Sequence, residues 1–158
     1  RADHGKRKRT NGRKTEVRAH WLVPVDGSAP SLRAVEYVVR QAPSATVTPT
    51  ISLVNVQAAL PSDITRFVSK KNVDDYHRES GEAALAQACA RLEAASIAYS
   101  KHILVGEASQ AVADYAREHD CTLIVMGSRG LGAVAGILLG SVTTRVVHLS
   151  ELPVVVIK

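Results

Sequence analysis

Residues 122–141 read TLIVMGSRGLGAVAGILLGS: the apolar run Leu123–Met126 passes directly into a stretch holding five of the chain's ten glycines. A short continuous apolar run bounded by turn formers reads as a buried strand. Beyond the glycines, Leu139, Val142, Val146 and Leu149 recur at the spacing of a helix over 139–149. Pro153–Ile157 then closes the chain as another apolar strand. The unit is strand, glycine loop, helix, strand.

The same alternation extends back toward the start of the chain. Trp21–Val25 is a strand ending at Asp26-Gly27, and Pro24, which cannot donate to a ladder, is tolerable only near its end. Ser28 offers an N-cap, Pro30 suits a first helical turn, and Leu32, Val35, Val38 and Val39 make one apolar stripe. Ile51–Val56 is a second strand, and 57–71 reads as a loop with Pro61 that enters a helix near its end. Over 72–98, Leu85, Ala88, Leu92 and Ala95 repeat at helical spacing. His102–Val105 is a third strand, Gly106 a turn, and Ser109 the cap of a helix carrying Val112, Ala113 and Ala116. Apolar strands separated by helices predict an α/β fold: a doubly wound, five-stranded parallel sheet with helices on both faces.

The chain has 158 residues, 46% hydrophobic and only 4% aromatic, so one domain with an aliphatic core is expected. No apolar run approaches the ~20 residues of a membrane helix. The first twenty residues are charged without an apolar centre, so no signal peptide is expected and the location is read as cytoplasmic. Cys89 and Cys121 belong to no CxxC pair, and the histidines show no ligand spacing, which argues for buried reduced thiols and against zinc. Residues 1–20 hold eight Lys/Arg against two acidic residues, whereas the remainder holds twelve against thirteen. The basicity therefore belongs to residues 1–18, read as a disordered tail before a domain over 19–158. Nucleic acid is a candidate partner through that tail alone, against the plainer reading of a solubilising extension.

In a doubly wound sheet, ligands bind beyond the carboxyl ends of the strands, where the strand order reverses. Asp26, Asn55-Val56 and the glycine stretch all fall at such ends. The glycines do not form a P-loop, because no lysine follows Gly140. They do not form a dinucleotide fingerprint either: they do not follow the first strand, and Glu151 lies at the wrong end of the next one. What remains is Gly127-x2-Gly130-x9-Gly140-Ser141 opening a helix. Close backbone approach, free N–H groups, the helix dipole and the Ser141 hydroxyl together describe a phosphate cradle. The competing reading is a flexible loop whose glycines only permit turns.

That motif resembles the nucleotide motif of the universal stress protein family. The resemblance spans residues 19–158 and includes VPVDGS at 23–28, LVGEAS at 104–109 and the closing PVVVIK. It implies a Rossmann-like fold of the adenine nucleotide alpha hydrolase-like type. It also implies ATP as ligand with Mg2+ or Mn2+, and a homodimer joined through residues 153–157. Family members that do not bind ATP typically lack these glycines, and this chain keeps them all. Carried over residue by residue, Asp26 would meet the ribose or help hold the metal, against a plain carboxylate at a helix start. Val25 and Val56 would flank the adenine, with the backbone around Val54 reading its edge, against a plain core role. Met126, Gly127, Arg129 and Gly130 would line the ribose and phosphate entrance, Arg129 alternatively being solvated. Gly140, Ser141, Val142 and Thr143 would hold the phosphates. The basic tail departs from the family pattern.

There is no GxSxG, no Cys/His arrangement and no carboxylate pair at the glycine site, so no catalytic residue is expected. A nucleotide-dependent regulator of the stress response is the expectation. The alternatives are a slow ATPase using Asp26 with a metal, and a nucleic-acid-associated factor acting through the tail.

Overall fold

A computed structural model describes residues 18–131, 136 and 138–158. The basic tail, with the disorder expected of it, lies outside the described residues. Five strands, β1 (His20–Pro24), β2 (Thr50–Gln57), β3 (Tyr99–Val105), β4 (Leu123–Gly127) and β5 (Val154–Ile157), form one parallel sheet in the order β3-β2-β1-β4-β5. Between them run α1 (Ala29–Gln41), the short α2 (Ser62–Thr65), α3 (Lys70–Ala94), α4 (Ala108–Glu118) and α5 (Ser141–Leu149).

Alternate residues along each strand serve opposite faces. Val23, Ile51, Leu53 and Val125 pack with Leu32, Val35 and Val38 of α1 and Leu85 and Leu92 of α3. Leu22, Val54, Ile124 and Met126 pack with Val112, Tyr115 and Ala116 of α4 and Val146 of α5. Burial on both faces is why the strands read as continuous apolar runs. Among the described residues, no helix is long and apolar enough to cross a membrane.

The chain enters at the centre of the sheet, builds outward through β2 to β3, and returns to place β4 on the other side of β1. β1 pairs with β2 along all of its length, but with β4 only at Trp21–Leu123 and Leu22–Ile124. Backbone N–H groups alternate sides along a strand. Val25 donates to the Val54 carbonyl of β2 at 2.8 Å, so the N–H that Pro24 lacks would have faced β4, where pairing has already stopped.

Helix ends account for most departures from the sequence reading. Ser28 caps α1 as expected, accepting from the Ser31 N–H at 3.3 Å. The cap of α4 is Glu107, not Ser109. Its carboxylate accepts from the N–H groups of Ser109 (3.3 Å) and Gln110 (2.9 Å), and also from the buried Ser109 hydroxyl. The Ser109 hydroxyl bond is the main reason the Glu107 pKa is lowered. The helix expected to reach residue 98 stops at Ala94, and β3 begins at Tyr99. Ser96 adopts φ 55°, and Ile97 N–H bonds Leu92 O while Ser96 N–H bonds Glu93 O. This is a Schellman closure without the usual glycine. Asp120, at φ 50°, closes α4 in the same way, with Cys121 N–H on Ala116 O. The loop over 57–71 contains α2, which the sequence reading did not anticipate, and α5 starts at Ser141 rather than 139.

Candidate functional site

Where β1 and β4 part, a cavity of about 390 Å³ opens at the carboxyl edge of the sheet. Its apolar side is built from Val25, Val54, Val56 and Met126 at strand ends, with Pro24 and with Val112 from α4. Asp26, Gly127, Arg129, Gly130 and Leu131 form the opposite rim, and Gly140, Ser141, Val142 and Thr143 bring in the start of α5. All twelve residues singled out in the sequence line this one space. Pro24, Ser31, Ala108, Val112 and Leu131 line it as well and were not singled out. The LVGEAS match at 104–109 was the signal that the start of α4 belongs here. Ser31 carried no comparable signal.

Hydrogen bonds within the protein hold the rim together. Asp26 Oδ1 accepts from the Ser28 N–H at 2.9 Å, and its Oδ2 accepts from the Leu131 N–H at 3.1 Å. The carboxylate therefore spans from the start of α1 to the glycine loop. A Cβ on Gly130 would sit 2.6 Å from Asp26 Oδ2, so this glycine is required by the carboxylate's close approach. The Gly140 N–H, expected to face a phosphate, instead donates to Ser128 O at 2.7 Å. Ser128 N–H donates in turn to Ile157 O, also at 2.7 Å. The Thr143 hydroxyl is likewise committed, donating to Gly127 O at 2.9 Å.

What these bonds leave open is the first turn of α5. Its N-cap, Gly140, has no side chain to bond, and the N–H groups of Ser141, Val142 and Thr143 have no acceptor among the described residues. Arg129, half-buried on the rim, has no ion-pair partner among them. Beside the cavity, Arg145 of α5 lies 3.5 Å from the Glu107 carboxylate.

Among the described residues, Asp26 is the only carboxylate lining the cavity, and no histidine, cysteine or lysine lines it. No group of three or more His, Cys, Asp or Glu among the described residues is placed to hold a metal. Each Asp26 oxygen accepts one backbone N–H and keeps a second lone pair, so Asp26 could contribute one carboxylate oxygen to a metal carried by phosphates.

A second polar cluster lies on the α4 face of the sheet, nearer the amino ends of the strands. His20 Nδ1 lies 3.0 Å from His119 O, a carbonyl that can only accept, so Nδ1 carries the proton in the neutral ring. Nε2 then accepts from the Ser52 hydroxyl at 2.8 Å, and Ser52 lies 3.0 Å from Ser100 Oγ. Ser100 takes the His102 Nε2 proton at 3.1 Å, and Tyr115 donates its hydroxyl to Ser52 at 3.4 Å. His119 stacks on Tyr115 with ring centres 4.0 Å apart. Burial, then the His119 and His20 charges, lower the His102 pKa.

The fold that carries this crevice agrees with comparison to known proteins. The family model for the universal stress protein family matches residues 19–158. The chain belongs to that family. A universal stress protein of Methanocaldococcus jannaschii is 28% identical over 143 residues, covering 87% of this chain and 80% of that protein. A solved universal stress protein from Lactobacillus plantarum shares the fold with a TM-score of 0.73 at 23% identity, over 90% of this chain and 99% of that one. A universal stress protein solved in complex with cAMP superposes with a TM-score of 0.67 at 26% identity, over 89% of this chain and 97% of that one. In this universal stress protein, Gly127, Gly130, Gly140 and Ser141 all line the crevice.

Proposed function

We propose that this universal stress protein is a cytoplasmic, nucleotide-dependent regulator of the stress response whose cavity binds an adenine nucleotide. ATP is the ligand that the family resemblance implies. The observation that carries this reading is the continuity of one cavity, from apolar strand ends to an uncapped helix start. A flat apolar base fits between Val25, Val56 and Met126. A phosphate fits the N–H groups of Ser141, Val142 and Thr143, favoured by the α5 dipole and by Arg129. Asp26, between the two, lies where a ribose hydroxyl would compete for Oδ2. The relative solved with cAMP supports an adenine nucleotide as the class of ligand.

The regulatory reading rests on Ser128, which links the site to the sheet edge. Its carbonyl holds the Gly140 N–H and its own N–H holds Ile157 O, so the phosphate end of the site and β5 share one residue. β5 is an edge strand of four half-buried apolar residues, the kind of edge a second copy covers. A homodimer joined there would sense occupancy of the cavity. Val155→Asp should then yield monomer by light scattering; an unchanged dimer would place the interface elsewhere.

The ligand itself is tested by mass spectrometry of small molecules released from freshly purified, denatured protein. Titration of the ligand-free protein follows. An adenine nucleotide released, or bound on titration, is the expected result. Ligand-free protein that binds no adenine nucleotide would overturn the reading.

A further inference from the structure

We infer that the groove between α4 and the edge strand β3 is the docking site of the basic segment 1–17 of this same chain.

A second depression, of about 510 Å³, runs between these two elements on the face of the sheet that carries α4. It exists because β3 is the last strand on that side of the sheet, while α4 lies nearest the neighbouring β2. α3 packs across β3 on the opposite face. His102 and Leu104 are therefore left half-buried beside α4 instead of being covered by a helix. As an edge strand, β3 also presents outward backbone groups that have no partner in the sheet.

Charge decides what such a groove takes. The carboxylates of Glu107, Asp114 and Glu118 line it, and among the described residues no Lys or Arg does. Arg117 reaches Asp114 at 2.7 Å and Arg145 reaches Glu107 at 3.5 Å, both from outside the lining and both largely exposed. Exposed pairs of this kind add little stability and exchange for another cation at small cost. Glu118 has no ion-pair partner among the described residues. The carbonyl end of α4 adds partial negative charge beside it. Leu104, Ala111 and Tyr115 supply the apolar surface that the stems of Lys and Arg side chains cover. The groove is built for a cationic chain and repels a polyanion.

The point where the chain enters the domain names the occupant. Residues 1–17 hold seven Lys/Arg against two acidic residues, with a basic run at Lys6–Arg9 and a pair at Arg13-Lys14. This segment leads into β1, whose first residue is His20. His20 Nδ1 bonds the carbonyl of His119 at 3.0 Å, and His119 lines the groove at the C-terminal end of α4. The segment is thus rooted at the foot of the groove. The 11 residues of α4 extend about 16 Å, whereas 17 residues of extended chain span at most roughly 60 Å. Arg13-Lys14 can reach Glu118 and Asp114, and Lys6–Arg9 can reach Glu107 at the far end. Tethering also gives the segment an effective concentration on the order of millimolar, an advantage over a separate partner.

The test is zero-length carbodiimide cross-linking of the full chain, freed of nucleic acid, with the linked peptides mapped by mass spectrometry. Equal amounts of unlabelled and heavy-isotope-labelled protein are mixed, so that links within and between chains are told apart. In about 0.02 M salt, Lys6, Lys8 and Lys14 should link to Glu107, Asp114 and Glu118 of the same chain. The yield should fall at least about threefold in about 0.5 M salt, where the screening length drops to about 4 Å. The double variant Asp114→Lys, Glu118→Lys, its fold checked by circular dichroism, should lose links at Glu107 by a similar factor. Links joining light to heavy chains would give the groove to a second copy and overturn docking within the chain. Links spread equally over carboxylates of α3 such as Glu79 and Glu82, or unchanged by salt and by the double variant, would leave the segment a solubilising extension.

Discussion

The two polar regions of this molecule treat their hydrogen-bonding groups in opposite ways. Around His20, Ser52, Ser100 and His102, each side chain meets another protein group, and the chain of bonds runs from His119 O through to His102 beneath α4. At the carboxyl edge, the rim is fastened just as fully through Asp26, Ser128 and Thr143, yet the first turn of α5 is left without partners among the described residues. A satisfied network adds stability and leaves nothing to offer a ligand. An unsatisfied helix start at a cavity has the reverse character. Binding capacity is legible as a local deficit, provided the surrounding bonds are counted first.

The sharpest way to break the contrast is to cap α5 as Glu107 caps α4. Gly140→Asp would put a carboxylate on the open N–H groups and fill the anion seat. Two lost charge-assisted bonds, at roughly 1.5 kcal/mol or more each, should weaken AMP and ATP binding by about a hundredfold. Adenosine affinity, measured in the same titrations, should remain, and its loss would mean that the variant had merely unfolded.

Ser52→Ala applies the opposite operation to the histidine network. It leaves His20 Nε2 and the Tyr115 hydroxyl without their shared partner, a loss of about 1–3 kcal/mol. Urea unfolding should register that loss while nucleotide affinity stays unchanged. A shift in affinity would show that the two regions are coupled.

Asp26→Ala removes the bridge between α1 and the glycine loop, and with it the proposed ribose contact. A drop of about tenfold in nucleotide affinity is expected, with circular dichroism confirming the fold. Undiminished affinity would make Asp26 a helix-start carboxylate and nothing more.

The smallest effect concerns pH. The folded-state pKa of His102 is lowered, so the unfolded chain binds its proton first as the medium is acidified. The stability that His102 contributes is complete above its unfolded value of about 6.5 and is lost as pH falls through the lower folded value. Melting temperatures between pH 7.5 and 5 should decline, and His102→Asn should flatten part of that decline. An identical slope in the variant would assign the effect to other groups.

The fold was legible because strands buried on both faces, such as Ile51–Val54, leave unbroken apolar runs, and the glycines mark the one loop unlike the rest. Less legible were the helix ends at Ser96 and Asp120, where residues other than glycine take the left-handed conformation. The Glu107 cap was missed because its reach to two N–H groups depends on the turn after β3. Within the site, residue types showed which groups gather at the edge. They did not show that the Gly140 N–H is already bonded to Ser128, because that bond depends on where the loop returns. Ser31 and Val112 face the cavity only because their helices lie across the strand ends.

The strand order also imposes a schedule on biosynthesis. β1 meets β2 early, but its other neighbour, β4, is translated roughly a hundred residues after it. Until then the central strand of the finished sheet is an open edge on the nascent chain, exposed to mispairing. The rim of the cavity waits longer still, because the Ser128 N–H finds its acceptor only when Ile157 has been added. A chain cut before Ile157 carries α5 but lacks the carbonyl that anchors Ser128 at the sheet edge.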